Sequence, residues 1–184
     1  MNRNRPQAGT PQPSSGGPRQ HWRLADAAAT RALGHELAGR LLAARRAGPG
    51  GAPPALLLQG ELGAGKTCLV QGIAAGLGIS EPITSPTFAL AQHYGGVLPD
   101  GTPTALVHLD LYRLEQPAAA EELFAQEEEV ADELGALLAV EWPERLSAPL
   151  PQAWRVELEL ADPRDPEAGR VARLHRPADL RGPG

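Results

Sequence analysis

Residues 55–67 read ALLLQGELGAGKT, and this stretch decides the fold. ALLLQ (55–59) is a short apolar run, as a parallel strand buried on both faces requires. GELGAGKT (60–67) follows with the spacing G-x-x-x-x-G-K-[ST]. Gly60, Gly63 and Gly65 let the backbone curl until successive N–H groups face one anion. A helix expected from Lys66 to Leu77, closed by Gly78, adds the partial positive charge of its N-terminus. Lys66 is a compact, flexible cation able to reach the β- and γ-phosphates of a nucleotide, and the Thr67 hydroxyl suits Mg²⁺. Arginine is bulkier and planar and would replace this lysine poorly. Of the 17 basic residues in the chain, Lys66 alone is lysine. The stretch therefore predicts a strand–loop–helix unit that binds a nucleoside triphosphate, ATP with Mg²⁺.

Upstream, Ala29, Leu33, Leu37 and Leu41 recur at a spacing of four and predict a helix, with Asp26 as its N-cap. GPGGAPP (48–54) ends that helix as a linker. Downstream, EPITSPT (81–87) reads as a loop. TFALAQHY (87–94) and TALVHLDLY (104–112) read as strands, joined through GGVLPDGTP (95–103). PAAAEELFAQEEEVADELG (117–135) is helical up to Gly135, and ALLAVEW (136–142) is another buried strand. WRVELEL (154–160) alternates, and GRVARLH (169–175) pairs with it as a closing hairpin. This order predicts an α/β fold: a single P-loop NTPase-like domain over 21–176, with a mixed, mostly parallel central sheet flanked by helices. The Pro/Gly/Ser-rich residues 1–20 read as a disordered tail and 177–184 as a second tail.

Composition narrows the function classes. The net charge is −5, from 17 basic and 22 acidic residues, which argues against an overall basic surface that coats nucleic acid. Cys68 is the one cysteine, so no internal disulfide forms, in keeping with a reducing cytosol. No apolar run approaches the ~18–20 residues of a membrane span, and the N-terminus lacks the apolar segment of a secretory signal. The expectation is a cytoplasmic protein without a membrane partner.

In an open α/β sheet, ligands collect beyond the carboxyl ends of the parallel strands. Asp110 and Glu141 each end an apolar strand. Either carboxylate suits holding Mg²⁺ through water or orienting the attacking water of phosphoryl transfer. Ser85 and Thr87 flank Pro86 in the loop after the first helix of the nucleotide site, where a segment can respond to loss of the γ-phosphate; plain turn chemistry is the competing reading. Cys68 reads as a small buried residue, and Glu127–Glu129 as a solvated helix face. His108, two residues before Asp110 on one strand face, fits core or site. The five histidines show no metal-binding spacing.

GELGAGKT, SPTF (85–88), HLDLYRL (108–114) and VEWPERL (140–146) occur in that order. The combination resembles the TsaE (YjeE) family of bacterial tRNA threonylcarbamoyladenosine biosynthesis ATPases, over roughly residues 22–175. The resemblance implies weak intrinsic, Mg²⁺-dependent ATPase activity, stimulated by partners. It implies action with TsaB and TsaD, while TsaC supplies threonylcarbamoyl-adenylate, in modifying adenosine 37 of tRNAs that read codons beginning with A; tRNA is met only through the complex. By the same resemblance Gly63, Ala64, Gly65, Lys66, Thr67 and Cys68 hold ATP or ADP, and Thr67 and Glu141 hold Mg²⁺. Asp110, with Lys66, serves hydrolysis. Trp142 lies beside the nucleotide, Asp26–Thr30 borders the adenine with Gly169 and Arg170 close by, and Ser85–Thr87 forms a switch-like loop. Two features depart from the family pattern: Cys68 stands where a Thr or Ser is usual, and the helix before EWPE is unusually acidic. A small-molecule P-loop kinase is the alternative, with Arg164, Arg170 and Arg173 as its candidate lid arginines. A GTPase is disfavoured, because an N-K-x-D motif needs a lysine other than Lys66.

Overall fold

ALLLQ and LLAVE become neighbouring strands at the centre of one sheet. The computed structural model describes residues 20–47 and 55–177. The linker expected at 48–54 and the tails at 1–19 and 178–184 lie outside the described residues. The elements are β1 (Gln20–Leu24), α1 (Ala27–Ala47), β2 (Ala55–Gln59), α2 (Lys66–Gly76), β3 (Ala91–Val97), β4 (Pro103–Asp110), α3 (Pro117–Leu134), β5 (Leu137–Glu141), β6 (Trp154–Leu160) and β7 (Arg170–His175). The sheet has seven strands in the order β1-β7-β6-β2-β5-β4-β3. The central strands β6, β2, β5 and β4 run parallel, and β1, β7 and β3 pair antiparallel at the edges. The mixed sheet expected from the element order is present.

Period-two alternation divides the apolar strands between two cores. Leu56 and Leu58 of β2 join Leu33 and Leu37 of α1 and Leu69 and Ile73 of α2 on one face. Leu57 joins Leu138, Val140 and the α3 residues Ala120 and Phe124 on the other. Both faces of β2 and β5 are thus covered, which explains their unbroken apolar spelling. Asp26 caps α1 as expected: its Oδ1 accepts the Ala29 N–H at 2.7 Å. Among the described residues no helix is long and apolar enough to cross a membrane.

Four local expectations need correction. Gln20, assigned to the tail, opens β1, which the sequence reading missed; Trp22 and Leu24 alternate there as buried residues. Five residues beside a Pro/Gly-rich stretch carry little periodic signal, and β1 is held by pairing with β7, 146 positions away at Leu24↔Arg170 and 154 at Gln20↔Leu174. Strand β3 begins at Ala91, because the Leu90 N–H closes a turn on Pro86 O at 2.6 Å. It continues to Val97, so the reversal shrinks to 98–102. Glu127 does not belong to a solvated face: it is buried between α3 and β3, where His93 Nε2 donates to its Oε2 at 2.6 Å.

Candidate functional site

Register brings the chemistry together. Leu58 of β2 pairs with Glu141 of β5, which pairs with Asp110 of β4. Three parallel strands therefore end level at one crevice, the position favoured for ligands in such sheets. From β2 the chain passes through Gly60, Gly63 and Gly65 at φ 147°, 79° and 103°, a left-handed path that disfavours any side chain. The N-terminus of α2 then opens on the crevice, with its unpaired N–H groups and positive dipole end. Lys66 Nζ donates to Gly60 O at 2.6 Å and to Glu61 O at 3.0 Å, and lies 4.2 Å from the Trp142 ring centroid. Burial holds its ammonium below the usual lysine value, against the opposing pull of the Glu141, Glu144 and Asp110 carboxylates.

Two carboxylates, each nearly fully buried, line the floor. Glu141 Oε1 accepts from Thr67 Oγ1 at 2.9 Å and from His108 Nε2 at 2.9 Å. Asp110 Oδ1 accepts the Tyr112 N–H at 2.9 Å. Its Oδ2 accepts from Thr87 Oγ1, with Ser85 Oγ at 3.4 Å. The switch-like loop thus rests on Asp110, and Ser85 and Thr87 hydroxyls lie 2.6 Å apart. Among the described residues the non-glycine residues at positive φ are Leu90 (68°) and Trp142 (60°). One closes the base of that loop and the other follows Glu141. Such strain concentrates at functional sites.

Two adjoining cavities flank the glycine loop. One, of about 320 Å³, is lined by Gly65, Lys66, Thr67, Asp110, Glu141 and Trp142, with Ser85, Thr87 and Tyr112 at its rim. The other, of about 290 Å³, lies between Asp26 with Ala27 and Thr30 at the start of α1 and Pro166–Arg170. Gly65 and Cys68 belong to both. The hydroxyl of Thr67 and the carboxylate of Glu141 are hard oxygen donors in contact. That pair suits Mg²⁺ held jointly with phosphate oxygens. Among the described residues no group of three or more His, Cys, Asp or Glu side chains gathers as a closed metal cage.

Most sequence-selected residues meet here. Gly63, Gly65, Lys66, Thr67, Cys68, Asp110, Glu141 and Trp142 line the first cavity; Thr30, Gly169 and Arg170 line the second. Trp142 lines the cavity of Lys66 and Glu141, its ring tilted at 45° to that of Tyr112 with centroids 4.8 Å apart. Ala64 lines neither cavity: its methyl is buried and its N–H donates to Glu61 O at 3.1 Å. Cys68 is only half-buried, a correction to its reading as core. Its Sγ lies 3.4 Å from Ala27 O and 3.7 Å from Arg31 Nη1; burial pushes the thiol upward and Arg31 opposes it. Arg170 bridges Pro166 O at 2.6 Å to Gly63 O at 3.1 Å, and Arg173 pairs with Glu159 at 2.8 Å. Both lie on β7, so neither is a lid arginine. The sequence reading missed Pro166, Glu167 and Tyr112 as cavity walls. Tyr112, two residues after Asp110, and Glu167, two before Gly169, were adjacent to residues already singled out.

Residues 24–170 match the family model described as threonylcarbamoyl adenosine biosynthesis protein TsaE. The chain is 45% identical over 95 residues to the tRNA threonylcarbamoyladenosine biosynthesis protein TsaE of Nostoc sp., covering 50% of this chain and 53% of that protein. It is 43% identical over 97 residues to the TsaE of Treponema pallidum, covering 53% and 65% respectively. The chain therefore spans about half to just under two thirds of these relatives' length. Its fold is similar to the crystal structure of YdiB of Bacillus subtilis: the TM-score is 0.55 at 26% identity, over 88% of this chain and 87% of that one.

Proposed function

The chain belongs to the TsaE family of threonylcarbamoyl adenosine biosynthesis proteins, and from that premise we propose that it is a cytoplasmic, Mg²⁺-dependent ATP-binding protein with slow ATPase activity that serves tRNA threonylcarbamoyladenosine formation. One observation carries the reading. The cavity over Gly63–Thr67 shares Gly65 and Cys68 with a second cavity, and the Thr67–Glu141 contact lies on its floor. An adenine between α1 and Pro166–Arg170 then places its phosphates on the N-terminus of α2, where N–H groups and dipole favour anions.

Lys66 must exchange the carbonyls of Gly60 and Glu61 for phosphate oxygens. The exchange is favourable, because a buried ammonium gains an anionic partner. Thr67 and Glu141 would hold Mg²⁺, which would supply positive charge beside the phosphates. Asp110 orients the attacking water once Thr87 and Ser85 release its Oδ2. That release couples the 85–90 loop to the γ-phosphate. The partners in this reading are TsaB and TsaD, with tRNA reached through their assembly, and the ATP cycle supports turnover of that assembly.

The test uses the purified chain with ATP, alone and with TsaB and TsaD. Slow turnover, faster with the partners, is expected. Lys66→Ala abolishes nucleotide binding and turnover; Asp110→Ala retains ADP binding and loses turnover. Phosphate appearing on a small metabolite, or full ATPase activity in the Asp110 variant, refutes the assignment.

A further inference from the structure

We propose that His108 is a positioning residue of the metal site: its Nε2–H fixes Glu141 through Oε1 and thereby aims the other carboxylate oxygen at the cation. The proposal rests on the nucleotide–Mg²⁺ reading above and assigns a role to a residue outside both cavity linings. His108 lies on β4 and is completely buried, and Glu141 on β5 is 3% exposed. In register His108 faces Ala139, and Glu141 is two residues farther along β5. Diagonal neighbours of this kind lie within reach of long or aromatic side chains. The small Ala139 methyl leaves the imidazole room to reach Glu141, which it does at 2.9 Å.

The arrangement divides labour between two donors. Both Thr67 Oγ1 and His108 Nε2 bond the same oxygen, Oε1. The threonine hydroxyl is a rotor whose oxygen is itself a metal donor, so it cannot also be the fixed anchor. The imidazole is locked by its packing and is the part that does not move. Its Nδ1 has no hydrogen-bond partner. A buried polar ring with half its capacity unused costs stability that an apolar side chain at this position would not. Its one bond therefore marks what it is kept for. Partners that orient a metal-binding carboxylate typically contribute about 10- to 100-fold in metal affinity.

Three substitutions separate orientation from mere packing. His108→Gln keeps a side-chain N–H near the place of Nε2, His108→Asn is one methylene shorter, and His108→Leu has no donor. ADP binding is measured by calorimetry for each folded variant, in Mg²⁺ and in EDTA. The Asn and Leu variants are expected to lose about 10-fold or more of the Mg²⁺-dependent tightening, with metal-free ADP affinity unchanged within about 2-fold, and Gln is expected to recover most of the loss. Full Mg²⁺-dependent tightening in the Leu variant overturns the proposal. So does an equal loss with and without metal, or a Gln variant no better than Leu. If the substitutions prevent folding, ¹⁵N-histidine spectra of the wild-type chain decide: the His108 Nε2–H signal should shift when Mg²⁺ joins the ADP complex, and an unmoved signal refutes the role. Failure of the wild-type chain to bind ADP under either condition would refute the nucleotide reading itself.

Discussion

Replacing Gly72 by alanine tests how α1 and α2 jointly build the proposed nucleotide site. A Cβ at Gly72 would lie 2.0 Å from Arg31 O, 2.7 Å from Arg31 C and 2.8 Å from Arg31 Cα. Gly34 of α1 makes the reciprocal approach, with Leu69 O 2.2 Å from its ideal Cβ. The helices therefore meet backbone to backbone. Even a weak C–H···O contact keeps carbon and oxygen about 3.3 Å apart, so the helices must separate by about 1 Å. All three obstructing atoms are backbone, which places the cost near the upper end for overpacking, about 3 kcal/mol. Alanine returns about 1 kcal/mol through helix propensity. The net loss is about 2 kcal/mol, a fall in Tm of about 4–8 °C for a chain of this size. Ala27 and Thr30 of α1, Gly65 at the N-cap of α2 and Cys68 within it line the second cavity, so ADP affinity falls as well, on the order of 10-fold. Urea unfolding and ADP calorimetry read the two effects. Gly39→Ala is the control, because Gly39 lies in α1 with nothing within 4 Å of its Cβ position; it should gain about 0.5–1 kcal/mol. A Gly72→Ala protein as stable as wild type, or a Gly39→Ala protein equally damaged, refutes the reasoning.

Lys66→Met should raise the stability of the nucleotide-free protein near neutral pH and flatten its alkaline dependence. The folded-state pKa lies below the ordinary 10.5 because of burial, so the unfolded chain binds this proton more tightly. Stability therefore rises with pH from the folded-state value up to about 10.5 as the buried charge is relieved. Urea midpoints of both proteins across that window check the sign; equal slopes would count against it. Thr87→Val removes a donor from the buried Asp110 carboxylate and should cost about 1–2 kcal/mol, discounted for the partial exposure of Thr87. An unchanged unfolding midpoint in that variant contradicts the contact.

Elements and site differ in how much of them was legible. The strand ALLLQ, the α1 cap at Asp26 and the α3 stop at Gly135 were read where they occur. Each depends on residues a few positions apart. β1 was missed because its five residues are held by a partner at the far end of the chain. Residues 87–90 were taken for strand, since apolar spelling cannot show that Leu90 donates to Pro86. Glu127 was read as solvated because it opens the acidic run Glu127–Glu129; Glu128 and Glu129 are exposed, whereas α3 turns this one carboxylate towards His93.

The sequence by itself determined the glycine loop, its lysine and threonine, and two carboxylates at strand ends. Covalent adjacency sets these, because a strand, a turn and a helix start are specified within a dozen residues. Only the tertiary structure decided that Glu141, rather than Asp110, meets Thr67, and that Asp110 is held by the 85–90 loop. It also turned Cys68 towards two cavities and His108 towards Glu141. The two contacts of Glu141, with Thr67 and with His108, follow from the placement of β5 between β2 and β4. Thr67 and Glu141 are 74 positions apart, and strand order, which no local spacing encodes, makes them neighbours.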